Sequence, residues 1–123
     1  MRVRLLLAVT VAAAFANAAC AARSLASPPA APAVTDGGVR FVLMRADARS
    51  VSLAGSFNQW SAASHPLIRQ KEDGLWAIVV PLPPGEHTFM YVVNGTEWVS
   101  PPMAEDYVDD GFGAKNGIVV VRR

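Results

Sequence analysis

From Gly37 onward, no stretch of ten residues places apolar side chains at a helical period, and turn-forming residues interrupt the chain at short intervals. Asp73-Gly74 and Asn94-Gly95 supply the positive-φ residues that tight hairpins need. Pro83-Pro84-Gly85 cannot continue a hydrogen-bonded ladder, because two successive residues lack an N–H, and therefore marks a corner. Between these points lie short runs rich in β-branched and aromatic residues, a spacing that limits the chain to an all-β sandwich or barrel. Strands are expected near Val39–Arg45, Ser50–Gly55, Leu75–Val80, His87–Val93, Glu97–Val99 and Ile118–Val121. In His87–Val93 the two-residue alternation puts Phe89, Tyr91 and Val93 on one face and Thr88 and Met90 on the other. Residues 37–123 are numerous enough to enclose one modest core.

The N-terminal third has a different texture. Met1-Arg2-Val3-Arg4 is basic, Leu5 to Ala16 is apolar apart from Thr10, and small residues follow as far as Cys20. This order describes a secretory signal peptide over residues 1–19. The apolar run is shorter than the roughly 20 residues a membrane span needs, and an uncleaved anchor is the alternative. Residues 20–36 are rich in Ala, Pro and Ser, lack apolar periodicity and read as a disordered linker. Extended at about 3.1 Å per residue, such a segment reaches roughly 50 Å.

Cys20 is the single cysteine, so no intrachain disulfide stabilises the domain. Ala18-Ala19-Cys20 resembles a bacterial lipobox, in which the cysteine is lipidated, but Asn17 stands where Leu, Val or Ile is usual. Ordinary cleavage after Ala16-Asn17-Ala18 with a free thiol is the competing reading. The expected location is therefore exported, in the periplasm or cell envelope, with a lipid anchor at Cys20 as the only attachment to a membrane. The whole chain has 11 Lys and Arg against 10 Asp and Glu; without Arg2 and Arg4 the remainder is close to neutral. A near-neutral domain offers no electrostatic footprint for a phosphate backbone, which argues against nucleic acid as a partner.

Several motifs follow one another in the β-rich part. Gly55-Ser56-Phe57-Asn58-Gln59-Trp60 is followed by Pro66-Leu67, Pro84-Gly85-Glu86-His87, Asn94-Gly95, Trp98, and Gly113-Ala114-Lys115-Asn116-Gly117. This order resembles the family 48 carbohydrate-binding modules, and most of all the glycogen-binding domain of the AMP-activated protein kinase β subunit. The resemblance runs over residues 39–122. It implies an immunoglobulin-like β-sandwich of the early-set type, with an α-glucan site in which two Trp rings stack on successive glucose units.

The chemistry suits such a ligand. A pyranose has an apolar face of C–H groups and a rim of hydroxyls. A rigid aromatic ring covers the first at little entropic cost, and amide or ammonium groups fix the second. By this resemblance Trp60 and Trp98 are the stacking residues, Asn116 binds hydroxyls, Phe112 rests against the sugar, and Lys115 neighbours the loop within reach of a hydroxyl. Trp98 has one residue more after Asn94-Gly95 than the kinase subunit has, and an inserted residue alters which face a strand side chain takes. Met90 stands where the kinase subunit has a Lys, and Ala114 where it has a Thr. Two hydrogen-bonding groups are thereby missing, each worth roughly 0.5–3 kcal/mol. Phe57 and Trp76 read as packing residues.

Other chemistries are less well supported. His65 and His87 fall in turns, and no third ligand completes a metal site. Glu105, Asp106, Asp109 and Asp110 read as a solvated acidic loop, with a calcium site or a glycosidase pair as alternatives. Asn94-Gly95-Thr96 matches a glycosylation sequon, but a hairpin turn also accounts for it. The expectation is a non-catalytic, exported α-glucan-binding module that needs no cofactor. The alternative is an envelope protein-interaction domain that keeps the fold without the sugar.

Overall fold

The computed structural model describes residues 30–71 and 73–122. The proposed leader 1–19, Cys20 and the linker as far as residue 29 lie outside the described residues. The described residues form nine strands: β1 (Ala33–Thr35), β2 (Gly38–Met44), β3 (Val51–Gly55), β4 (Ile68–Arg69), β5 (Leu75–Val80), β6 (Gly85–Val93), β7 (Glu97–Val99), β8 (Asp106–Asp109) and β9 (Lys115–Val121). They make two sheets in which every pairing is antiparallel. The first has the order β1-β2-β5-β4, and the second β3-β6-β9-β8 with β7 also on β6. This two-sheet, all-β architecture is consistent with the immunoglobulin-like sandwich expected from the motifs.

The six strands expected from the pattern all form, and the alternation along β6 fixes what faces what. Phe89, Tyr91 and Val93 join Phe41 and Leu43 of β2 in the core between the sheets. Phe89 meets Phe41 edge-to-face across the sandwich, with ring centroids 5.0 Å apart. The Tyr91 hydroxyl also crosses the core and donates to the Val42 carbonyl at 2.9 Å. Trp76 is buried as expected, and its indole N–H donates to the Arg45 carbonyl at 3.0 Å. Phe57 packs against the edge of this core, 6.1 Å from Phe41 between ring centroids.

Burial raises the Tyr91 pKa well above the ordinary tyrosine value. The phenol is protonated in both states below the unfolded value of about 10. Above it the unfolded chain loses the proton while the folded chain keeps it. The stability supplied by the neutral phenol therefore declines as pH rises toward the folded-state pKa, by about 1.4 kcal/mol per pH unit. Urea unfolding between pH 8 and 11 should show this alkaline loss, and Tyr91→Phe should make the decline shallower.

Three strands lie where none is expected from the sequence. Ala33–Thr35 falls inside the segment read as linker, yet it pairs with β2 from Ala33 opposite Arg40 to Thr35 opposite Gly38. Its side chains are all exposed, so it has no burial alternation to betray it. Strand structure thus begins before Gly37. β4 has only two residues and sits at a sheet edge. β8 runs through the acidic segment read as a solvated loop and pairs with β9 from Asp106 opposite Ile118 to Asp109 opposite Lys115. All four of its side chains are exposed. Charge on an edge strand suits its position, because it discourages pairing with other chains.

Candidate functional site

Residues of the second sheet that point away from the core form a face of their own. On β6 these are Thr88, Met90 and Val92, the alternates of the core residues Phe89, Tyr91 and Val93. Trp98 of β7 lies opposite Val92, and Asn116 of β9 lies opposite Val108 of β8. The Asn94-Gly95 turn sets the register of β7. Asn94 and Gly95 take φ of 54° and 79°, Val93 pairs with Glu97, and the turn between them holds three residues, Asn94 to Thr96. Trp98 therefore stays in register with the outward face. Trp98 is 46% exposed, against 5% for Trp76. Asn94 Oδ1 accepts from the N–H groups of Arg49 and Ser50 at 2.7 and 3.2 Å, so the side chain ties the turn to the segment just ahead of β3.

Trp60 reaches this face from the turn that follows β3. Gln59 and Trp60 both have left-handed backbones, with φ of 55° and 58°. Such conformations cost a non-glycine residue about 1–2 kcal/mol each and persist only where the surroundings hold them. Asn58 does much of the holding. It is buried, and its Oδ1 accepts from Gly55 N (3.0 Å) and Ser61 N (3.2 Å). Its Nδ2 donates to the Leu53 carbonyl at 3.0 Å and lies 2.8 Å from His65 Nδ1. Trp60 N closes the turn on the Gly55 carbonyl at 2.9 Å. Asn58→Ala strands several of these partners, and each buried unsatisfied group costs about 1–3 kcal/mol. The variant is expected to lose about 2–3 kcal/mol in urea unfolding and to change the emission of Trp60.

The third contribution is the β8–β9 loop. Asp110 N donates to the Ala114 carbonyl at 3.0 Å. Asp110 Oδ1 accepts from Phe112 N (2.7 Å) and Ala114 N (3.1 Å). Gly111 and Gly113 take φ of 86° and 95°, which lets the loop fold tightly around that carboxylate. Phe112 is left at the tip, 93% exposed.

These elements enclose a groove of about 490 Å³. Trp60, Trp98 and Phe112 supply its aromatic walls, and Met90, Asp110, Ala114 and Asn116 line the remainder. Four of the five residues expected at a sugar site thus converge on one groove. Lys115 does not. It alternates with Asn116 along β9, and its ammonium donates to Asp109 Oδ1 at 2.7 Å. That hydrogen bond raises the Lys115 pKa and lowers that of Asp109.

Two contributors were not anticipated. Asn58 is placed by a pattern the sequence does contain, a short side-chain amide just after Gly55 that caps its own turn. Asp110 belongs to the Asp-Gly-x-Gly stretch 110–113, which reads as a solvated loop until the inward carboxylate is seen. Among the described residues, no group of three or more His, Cys, Asp or Glu side chains could hold a metal ion.

A family model for carbohydrate-binding module 48 (isoamylase N-terminal domain) matches residues 28–104. The chain belongs to the carbohydrate-binding module 48 family. The match takes in β1 and includes Trp60, Met90 and Trp98, while the Asp110–Ala114 loop lies beyond it. The module is 42% identical over 72 residues to the 1,4-alpha-glucan branching enzyme GlgB of Pseudomonas syringae pv. syringae (strain B728a), covering 54% of this chain and 10% of the enzyme. It is 39% identical over 80 residues to the branching enzyme GlgB of Burkholderia vietnamiensis (strain G4 / LMG 22486), covering 56% of this chain and 11% of that enzyme. The module therefore spans about a tenth of the length of these relatives.

Proposed function

We propose that this module binds an α-glucan chain along the groove of the second sheet and carries out no reaction on it. The observation that carries this reading is the convergence of Trp60, Trp98 and Phe112 on one groove with Asn116 at its side. The aromatic rings cover the apolar faces of pyranose units, and the Asn116 amide both donates to and accepts from hydroxyls. Met90 and Ala114 extend the apolar lining where the kinase subunit has an ammonium and a hydroxyl. Binding thus rests more on stacking than on hydrogen bonds, which favours a polymer with many successive units over a single sugar. The leader-like segment 1–19 further supports display outside the cytoplasm, with Cys20 as the point of lipid attachment.

Electrophoresis of the chain through a native gel containing amylopectin tests the binding. Retardation is the expected result. Unchanged mobility, together with stoichiometric capture of one envelope protein, would favour the protein-interaction alternative.

A further inference from the structure

The groove contains one ionisable residue among those that line it, Asp110. Oδ1 of its carboxylate is occupied by the N–H groups of Phe112 and Ala114. Oδ2 makes no hydrogen bond to the described residues, and it is not a buried unsatisfied atom. Asp110 thus carries an acceptor oxygen that is not buried, at a groove otherwise lined by aromatic, apolar and amide residues. No lining residue is a cation. Lys115, adjacent in sequence, is held by Asp109 at 2.7 Å. Arg45, just after β2, is held by Glu97 at 2.8 Å and by Asp47 at 3.1 Å.

We propose that Asp110 is a specificity-determining residue that makes the groove select uncharged glucans and disfavour chains bearing phosphate or carboxylate groups. The inference rests on the proposed glucan-binding function and adds the substrate class. A carboxylate accepts hydrogen bonds from sugar hydroxyls, so it accommodates a neutral chain. Toward an anionic substituent it presents like charge, with no lining cation to offset it. For unit charges about 6 Å apart at a partly solvated site, the repulsion corresponds to roughly a tenfold loss in affinity. The screening length falls from about 10 Å in 0.1 M salt to about 3 Å in 1 M salt, so the discrimination weakens as salt is raised.

Asp110→Asn isolates the charge. The amide oxygen can accept from Phe112 N and Ala114 N as the carboxylate does, so the loop keeps its shape. The probes are maltoheptaose and a maltoheptaose carrying a single 6-phosphate, titrated calorimetrically into the full chain in 0.1 M and 1 M salt. The wild-type chain should bind the phosphorylated probe about tenfold more weakly in 0.1 M salt, with the gap narrowing in 1 M salt. Asp110→Asn should bring the affinities for the two probes within about twofold of each other. Equal binding of the two probes by the wild-type chain, or discrimination retained in Asp110→Asn, would overturn the assignment while leaving the glucan-binding reading standing. Failure of the wild-type chain to bind either probe would overturn both.

Discussion

Trp60→Ala is expected to weaken maltoheptaose binding by about 2–3 kcal/mol, or roughly 30- to 150-fold, and Trp60→Ala with Trp98→Ala to abolish measurable binding. Each ring supplies a rigid apolar platform that Met90 and Ala114 do not replace, since they offer neither a flat surface nor a polar contact. Neither ring belongs to the core: Trp60 is half-buried and Trp98 is exposed. The double variant should therefore unfold in urea close to the wild-type midpoint. Isothermal titration calorimetry alongside circular dichroism separates the two effects. A folded double variant with wild-type affinity would mean that the groove is not where the glucan lies.

Phe89→Ala should have the opposite character. Phe89 is fully buried and meets both Phe41 across the sandwich and Tyr91 along its own strand, at ring-centroid distances of 5.0 and 5.7 Å. Truncating a buried Phe costs about 3–5 kcal/mol, through lost transfer energy and the cavity left behind. Domains of this size have total stabilities of about 5–15 kcal/mol, so the loss removes a large share. At about 4–8 °C per kcal/mol, the thermal midpoint should fall by roughly 15–30 °C. Glucan binding should persist at low temperature, because Phe89 faces away from the groove. A midpoint shift of only a few degrees would show that the two sheets do not depend on this contact.

The two variants separate what the sequence displays from what it conceals. Phe89 is legible as core because β6 alternates over a long run, with Phe89, Tyr91 and Val93 sharing one face. The same alternation puts Met90 on the face that becomes the groove. The tight turns are legible because Asn94-Gly95 and Asp73-Gly74 have few other uses. Trp60 and Trp98 emerge from their motif as candidate stacking residues, and the three-residue turn from Asn94 to Thr96 sets the register of β7.

What stays hidden depends on pairing rather than on pattern. β1 and β8 expose all their side chains, so neither has a buried face to mark it. β4 has two residues, too few for any period. Asp110 looks like one more acid in an acidic stretch, because only the folded loop shows its carboxylate bound to Phe112 N and Ala114 N. Lys115 looks like a groove residue because it is next to Asn116, yet adjacent residues on a strand face opposite ways. Asn58 has the same difficulty in reverse: its role as the buried anchor of the Trp60 turn depends on contacts with Leu53 and His65 that only the folded turn creates.

The three tryptophans provide the most direct test of where a glucan lies. Two of them, Trp60 and Trp98, line the groove, and the third, Trp76, is buried in the first sheet. Titrating maltoheptaose into the ¹⁵N-labelled chain and following the indole N–H resonances reads all three at once. The Trp60 and Trp98 signals should shift with a common affinity, together with the Asn116 side-chain amide, while the Trp76 signal stays in place. Saturable shifts at Trp76 and the first sheet with Trp60 and Trp98 unmoved, or no shifts at any sugar concentration, would contradict binding in the groove.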